Sequence, residues 1–363
     1  MLYYASLYYK RSVFTGANKR FDQLGQLFAE ILPDQFRIIV CEGERPDWAP
    51  TKNCLFVPPY NTRIQRIRSY FFLQTLLTHL EAGKVITDFM PIPFFGLRKH
   101  EHYQLIHDLR NFTEFSRGGL SGLTKYYQKW QLTRSKHIIT VSEFSRANIV
   151  KYCSIPPQKI IVSYNGIDRK FFLPERNVNN SIDILYVATF EARKNHLTLM
   201  RALALAPSGL RVRFIGRDLG TRVEINAMAD ELVHSKGFEF EFIDSLNEAE
   251  LIDSYRNARV YVFPSLLEGF GMPLIEALAT NCRVACSDIE VFRELCEGKA
   301  FFFDPHSARD MWRGIDEALN ATDASDNETY DDKRFLWDVI GRDLLAALHI
   351  STKNPTYPPL DSA

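Results

Sequence analysis

Short apolar runs alternate along the chain with longer stretches whose apolar residues recur at helical spacing. Residues 2–7, 36–41, 54–57, 103–106, 137–141 and 159–163 read as strands. They are nearly continuous in apolar residues, as expected for strands covered on both faces. Residues 184–188, 210–215, 238–243 and 260–263 repeat the pattern in the second half. Between them the spacing predicts helices: one after the loop 13–21 and running to Leu32, then 63–80, 143–152, 196–205 and one ending at Asn257. A further helix is opened by Gly118 and Gly119 and ends near Arg134, and a terminal one runs over 335–350. Residues 85–95 hold strand and loop material broken by Pro91 and Pro93. Strands alternating with helices in each half predict an α/β fold of two doubly wound domains. The polar stretches 177–181 and 320–332 read as linker and loop, and the proline-containing last ten residues as a loose tail.

The stretch 260–279 carries the most chemistry. An apolar run ends at Pro264 and Ser265; Glu268-Gly269-Phe270-Gly271 follows, then Met272, Pro273 and an almost wholly apolar helix. A strand, a glycine loop and a helix start present free backbone N–H groups and a positive dipole end, which suit an anion such as a diphosphate. Pro273 is placed as the first helical residue, where its missing N–H costs nothing. Glu268 and Glu276 would repel phosphate; both suit hydroxyls, such as those of a ribose and a sugar. Read alone, Glu276 could serve only the helix dipole and Glu268 could be a solvated loop residue.

Glu268 and Glu276, with seven residues between them that include Gly-Phe-Gly-Met-Pro, resemble the signature of the retaining family 4 glycosyltransferases. The resemblance continues through Cys286-Ser-Asp-Ile289, Phe292-Arg-Glu-Leu295 and Phe302-Phe-Asp-Pro305. It covers residues from about 100 to 355 well and the first hundred in outline. One departure is Asn281-Cys-Arg283, where the family usually has Gly-x-Pro. The resemblance implies a GT-B fold, two Rossmann-like domains facing across a cleft. An acceptor-binding domain would span 1–170 and a nucleotide-sugar-binding domain 171–336, with a terminal helix over 337–352 crossing back toward the first.

It also implies roles. Glu268 would contact the donor sugar and Glu276 the ribose hydroxyls. Arg193 and Lys194, between a strand and a helix, would hold the donor diphosphate together with Gly269, Phe270 and Gly271; Arg offers a bidentate contact and Lys a point charge. His107 ends a strand, where ligands bind in open α/β sheets, and matches the family's His-Asp segment, which places it near the donor sugar or the acceptor. Asp108 would orient it or be structural. Gly16, where relatives often have a glycine pair, is a mobile-loop residue or a turn glycine. Residues 242–245 are a candidate wall for the base.

Composition bounds the rest. A chain of 363 residues with 46% hydrophobic content suits two globular domains. No apolar run reaches the roughly eighteen residues of a membrane span, and the N-terminus does not read as a signal peptide. The six cysteines fit reduced thiols better than a disulfide ladder or a metal site. Net charge is zero, yet residues 1–170 hold 24 basic and 13 acidic side chains and the remainder 20 and 31. The first half therefore suits an anionic partner: phospholipid, a lipid pyrophosphate or a nucleotide. No nucleic-acid recognition motif is present. The helix over 63–80 begins with Arg63, Arg66 and Arg68 beside Tyr70, Phe71 and Phe72. It reads as an ordinary core helix with a solvated basic end; an anionic membrane surface is the alternative.

The expected activity is hexosyl transfer, with mannose as one candidate sugar. The donor is a nucleotide-diphosphate sugar, no cofactor or metal is expected, and the chain has no Asp-x-Asp. The acceptor is a glycan or lipid-linked saccharide in polysaccharide or lipopolysaccharide assembly, in the cytoplasm, with peripheral contact at the inner membrane face. Two rivals stand: a GT-B sugar-nucleotide epimerase, and a catalytically silent binding subunit of a glycan assembly complex.

Overall fold

A computed structural model describes residues 1–13, 15–88, 96, 98–112, 121–172, 181–296, 298–321 and 332–351. Gly118, Gly119, most of 85–95, the linker and loop stretches and the final residues lie outside these. The chain divides into two compact units, one from Met1 to Gly166 joined by the segment from Arg334, the other Ile167–Lys333.

The first unit is built on a seven-stranded parallel sheet. Its strands are β1 (Leu2–Ala5), β2 (Phe36–Cys41), β3 (Cys54–Val57), β4 (Lys84–Thr87), β5 (Glu101–Ile106), β6 (His137–Thr140) and β7 (Ile160–Val162), in the order β3-β2-β1-β4-β5-β6-β7. Winding runs outward from β1 to β3, then restarts at β4 beside β1. Helices α1 (Gly16–Ile31), α2 (Arg63–His79), α3 (Ser121–Arg134) and α4 (Glu143–Cys153) connect them.

Helix α1 starts at Gly16, inside the expected loop. Thr15 supplies the reason: its side chain accepts the Asn18 N–H at 3.2 Å, an N-cap. The Asn18 amide then closes the preceding loop on the carbonyls of Lys10 (3.0 Å) and Val13 (2.6 Å). Gly16 is thus an exposed first helical residue. Helix α2 differs more from its reading. Leu73 and Leu77 are buried, as a core helix requires, while Ile64, Ile67, Phe71 and Phe72 face solvent. Its apolar residues divide between opposite faces.

The second unit has a six-stranded parallel sheet ordered β10-β9-β8-β11-β12-β13. These strands are β8 (Ile182–Val187), β9 (Arg211–Ile215), β10 (Glu239–Ile243), β11 (Ala258–Phe263), β12 (Arg283–Ser287) and β13 (Phe301–Phe303). The interleaved helices are α5 (His196–Leu203), α6 (Arg222–Lys236), α7 (Glu248–Arg256), α8 (Met272–Ala279), α9 (Glu290–Cys296) and α10 (Ala308–Asn320). The winding matches the first unit, reversing between β8 and β11. Helix α6 was not among the expected elements, although its buried Ile225, Ala229 and Leu232 stand at helical spacing.

The last helix, α11 (Trp337–Ala347), belongs to the first unit and packs on α1. Gly341 makes the approach close: a Cβ there would lie 2.2 Å from Leu27 Cδ2. The six cysteines are buried and none is in a disulfide.

The turn that departs from the family pattern is well formed. Asn281 adopts φ 56°, the left-handed region that asparagine tolerates better than other side chains. Cys282 N–H then reaches the Ala277 carbonyl at 3.0 Å and Asn281 N–H reaches Leu278 at 2.9 Å, closing the end of α8. Asn281→Gly should leave stability unchanged or slightly raised, whereas Asn281→Val should cost about 1–2 kcal/mol, both read by urea unfolding. Equal stability of the two variants would contradict a left-handed requirement here.

Candidate active site

Two loops leave the carboxyl ends of β8 and β11, the strands between which the second sheet reverses direction. Such a reversal opens a crevice for ligands, because neighbouring connections depart to opposite faces. The first loop places Phe190, Glu191, Arg193 and Lys194 before α5. The second places Glu268 to Gly271 before α8.

Asn195 locks the first loop. It sits at φ 61°, and its side-chain amide donates to the carbonyls of Pro264 (3.0 Å) and Pro305 (2.7 Å), at the ends of β11 and β13. The Tyr186 hydroxyl, from β8, donates to the Lys194 carbonyl at 2.6 Å. Leu266 N–H donates to the Arg193 carbonyl at 2.9 Å. Backbone and side chain thus fasten one loop to the other before any charge is considered.

The charged groups then meet. Lys194 Nζ lies 2.5 Å from Glu268 Oε1 and over the Phe263 ring, 5.4 Å from its centroid. Arg193 donates from one terminal nitrogen to Glu268 Oε2 (3.2 Å) and the Leu267 carbonyl (3.1 Å), and its other lies 2.8 Å from Glu191 Oε1. Lys194 and Glu191 are buried, and the Glu268 side chain is only 11% exposed. Burial pushes the Glu268 carboxyl up, but Lys194 and Arg193 outweigh it and hold it below the ordinary value. Burial lowers the Lys194 ammonium, opposed by Glu268 and reinforced by the like charge of Arg193. Two carboxylates thus hold two cations at the mouth of the sheet.

Helix α8 begins where Gly271 takes φ 120°. A Cβ there would stand 3.0 Å from Phe292 and 3.3 Å from Phe263, so only glycine suits the position. Met272 is the first helical residue and Pro273 the second, one place later than expected. Glu276 therefore lies one turn into the helix, buried, where it accepts from the Tyr255 hydroxyl at 3.1 Å.

In the candidate base wall, Phe242 packs near Phe190 and Phe214. The Arg222 guanidinium lies over both Phe190 and Phe242, 5.3 Å from each centroid, and pairs with Asp244. Glu191, Tyr255 and Arg222 were not singled out from sequence. Glu191 had a signal, a charge three residues before Lys194 in the same loop; Tyr255 and Arg222 meet their partners only through the fold.

His107 and Gly16 belong to the first unit. His107 follows β5, half-buried, and its Nε2 has no hydrogen-bond partner among the described residues. Burial, with Arg20 nearby, pushes the imidazole down to about 3, so it is neutral. Arg20, fully buried on α1, donates to the carbonyls of Ser163 (3.0 Å) and Tyr164 (2.6 Å) and to Ser163 Oγ (2.7 Å). Asp88, just past β4, is pushed up to about 6 by burial against the pull of Ser6 and Arg20. Asp108 is exposed and accepts the Arg110 N–H at 3.0 Å, which fits its structural reading. Among the described residues no three His, Cys, Asp or Glu are grouped to hold a metal ion.

Comparison with known proteins bears on the family and the fold. The model of "Glycosyl transferases group 1" matches residues 168–332, and that of "Glycosyltransferase Family 4" matches 38–171. The chain belongs to the group 1, family 4 glycosyltransferases. It is 26% identical over 219 residues to the O-antigen chain mannosyltransferase RfbU of Salmonella typhimurium, covering 60% of this chain and 61% of that protein. It thus spans about three fifths of that relative. Among solved structures, sucrose-phosphate synthase of Thermosynechococcus elongatus is 17% identical with TM-score 0.75, over 96% of this chain and 98% of that one. Anabaena HepE, solved in complex with UDP and glucose, is 13% identical with TM-score 0.72, over 96% and 99%. The family 4 chain has the GT-B fold.

Because the folded Glu268 carboxyl titrates below its ordinary value of 4.5, its pairing stabilises the protein above that pH and is lost as pH falls through the folded value. Glu268→Gln should lower unfolding free energy at neutral pH by about 3 kcal/mol, since buried Lys194 and half-buried Arg193 lose a partner. The gap to wild type should narrow as pH falls below 4.5 and through the lower folded value. Urea unfolding across this range measures it, and equal stability at neutral pH would contradict the cluster.

Proposed function

We propose that this chain transfers a hexosyl group, mannose by analogy with RfbU, from a nucleotide-diphosphate sugar to a glycan or lipid-linked acceptor in polysaccharide assembly. The observation that carries the reading is the Lys194–Arg193–Glu268 cluster at the reversal between β8 and β11. In it, residues 171–336 form the donor domain, residues 1–170 the acceptor domain, and 337–352 the returning helix. The setting is the cytoplasmic face of a membrane that carries the acceptor.

The donor diphosphate takes Lys194, Arg193 and the amides of Gly269 to Gly271 as partners. Glu268 accepts from a sugar hydroxyl and Glu276 from the ribose. The bond from the anomeric carbon to the diphosphate oxygen breaks as the acceptor oxygen bonds to the same face. The acceptor proton passes to the departing phosphate oxygen, which gives retention without an enzyme nucleophile. Charge growing on the leaving group is met by cations already held in place, so little reorganisation is needed at the moment of reaction. These cations supply the neutralisation, so the reading is metal-independent. Neutral His107, with a buried Nε2 that has no partner among the described residues, exchanges hydrogen bonds with a sugar hydroxyl and contributes no charge. Phe242 and the Arg222–Asp244 pair border the base.

Incubation with labelled nucleotide sugars, with and without saccharide acceptors, tests the reading. Acceptor-dependent product is expected; free sugar and nucleotide formed without acceptor would favour the epimerase, and binding without turnover the silent subunit. Lys194→Ala should lose about 10²–10³ in kcat, while Glu276→Ala should chiefly raise the donor Kd in calorimetry. Wild-type turnover in Lys194→Ala would contradict its role. A chelator should leave the rate unchanged, and a loss restored by added divalent cation would overturn metal independence.

A further inference from the structure

Tyrosines gather beyond the carboxyl ends of the first sheet. Tyr8 leaves β1, Tyr60 follows β3, and Tyr70 and Tyr127 stand in the second turns of α2 and α3. Both helices follow strands, so their first turns lie at that same end, where open α/β sheets bind ligands beside a reversal of strand order. The Tyr8 and Tyr70 hydroxyls lie 3.1 Å apart, and the Tyr8 ring meets that of Tyr60 edge-on, 6.3 Å between centroids. Tyr60 is fixed by donating its hydroxyl to the Leu7 carbonyl at 3.1 Å. Tyr127 stacks on Trp130 at 5.8 Å. Burial raises the Tyr127 phenol, a bond to Gln131 opposes this and the Tyr8 hydroxyl reinforces it, so Tyr8 and Tyr127 are within electrostatic reach of each other. Yet Tyr8 is 41% exposed and Tyr127 42%. Neighbours hold these two rings in place while leaving them open to solvent.

The charge of the group says what it suits. Burial pushes the Tyr60 phenol up to about 12 and raises that of Tyr70, and Tyr8 adds to both. These phenols are therefore neutral, with hydroxyls that both donate and accept. Of the cations flanking the group, Lys10 pairs with Glu44 at 2.9 Å and Arg11 with Asp47 at 2.6 Å, while Arg66 lies over the Tyr60 ring. Cations so engaged attract a phosphate weakly. Flat rings and neutral hydroxyls instead match a sugar ring, which has apolar C–H faces and a rim of hydroxyls. The segment that leaves β1 also carries Ser6, hydrogen-bonded to Asp88 at the reversal. The tyrosines thus continue the end of the sheet whose polar groups suit hydroxyls.

We propose that Tyr8 and Tyr127, backed by Tyr60, Tyr70 and Trp130, form a subsite for a saccharide ring of the acceptor. An exposed ring lies against the apolar face of the sugar, and the phenol hydroxyls exchange hydrogen bonds with its rim. The subsite takes a neutral glycan residue rather than the phosphate or lipid part of an acceptor. That this sugar is an acceptor rests on the transfer reaction proposed above, but its binding can be read without turnover.

Saturation-transfer difference NMR on the full chain tests this, with methyl α-mannoside, methyl α-glucoside, methyl α-galactoside and methyl β-N-acetylglucosaminide as probes. At least one should receive saturation, chiefly on its ring C–H protons, and the transfer should be insensitive to salt, because no full charges are paired. Tyr8→Ala and Tyr127→Ala should each cut the transfer by about threefold or more, while Tyr8→Phe, which keeps the ring, should retain most of it. Both positions are exposed, and an unchanged urea midpoint shows that the fold persists; Tyr127→Ala carries the test alone if Tyr8→Ala lowers it. In turnover the alanine variants should raise the acceptor KM by about three- to tenfold and leave the donor KM, set by the second unit, as in wild type. No saturation of any probe, equal saturation in wild type and both alanine variants, or loss of saturation in high salt would overturn the proposal. A donor KM that rises together with the acceptor KM would overturn it too, as the mark of a merely structural role. Tyrosine-dependent saturation without transfer to any acceptor would count against the proposed reaction and leave the subsite standing.

Discussion

A buried lysine and a half-buried arginine held by two carboxylates at the carboxyl ends of β8 and β11 are the constraint on which the second unit depends. Four charges so placed are stable only if each has partners, since an unpaired charge in a low-dielectric site is costly. The fold supplies them by fastening the two loops independently. Asn195 ties the first loop to the ends of β11 and β13, and Tyr186 holds the Lys194 carbonyl. The ion pairs are then a consequence of loops already in register. Lys194 and Arg193 are thereby paired and aimed at one place, as stabilising an anionic leaving group requires.

The same winding appears twice, with sheets that reverse between β1 and β4 and between β8 and β11. The two reversals carry different chemistry. That of the second unit gathers full charges. That of the first unit has Ser6 and Asp88 beyond its strands, with a neutral His107 one strand over and Arg20 buried behind them. A carboxyl pushed up to about 6 and an uncharged imidazole suit the recognition of hydroxyls more than phosphates. This contrast agrees with the division into acceptor and donor domains that we propose.

Much of this could be read in the residues, for identifiable reasons. The stretch from Val260 to Ala279 announces strand, loop and helix because its β-branched run, its glycines and Pro273 each demand one local conformation. The loop with Arg193 and Lys194 was legible because basic residues follow an apolar run and precede a helical one. Long-range partners were not legible. Tyr255 and Glu276 are 21 residues apart on two helices, and only their packing brings hydroxyl to carboxylate. Arg222 finds Phe190 and Phe242 from a helix that its modest apolar periodicity left unnamed. In α2, apolar spacing was read as one face when it was two, because a count of apolar residues does not say which side meets the sheet. Asn281 shows the reverse: where the family usually has glycine, an asparagine takes the left-handed conformation and the end of α8 still closes.

The most direct measurement of the central claim is a structure of the protein with a bound nucleotide-diphosphate sugar. The account predicts the diphosphate beside Lys194, Arg193 and the backbone of Gly269 to Gly271, with Glu268 turned to a sugar hydroxyl and Glu276 to the ribose. Phosphates bound at any other place on the second unit, with Lys194 still engaged only by Glu268, would contradict it.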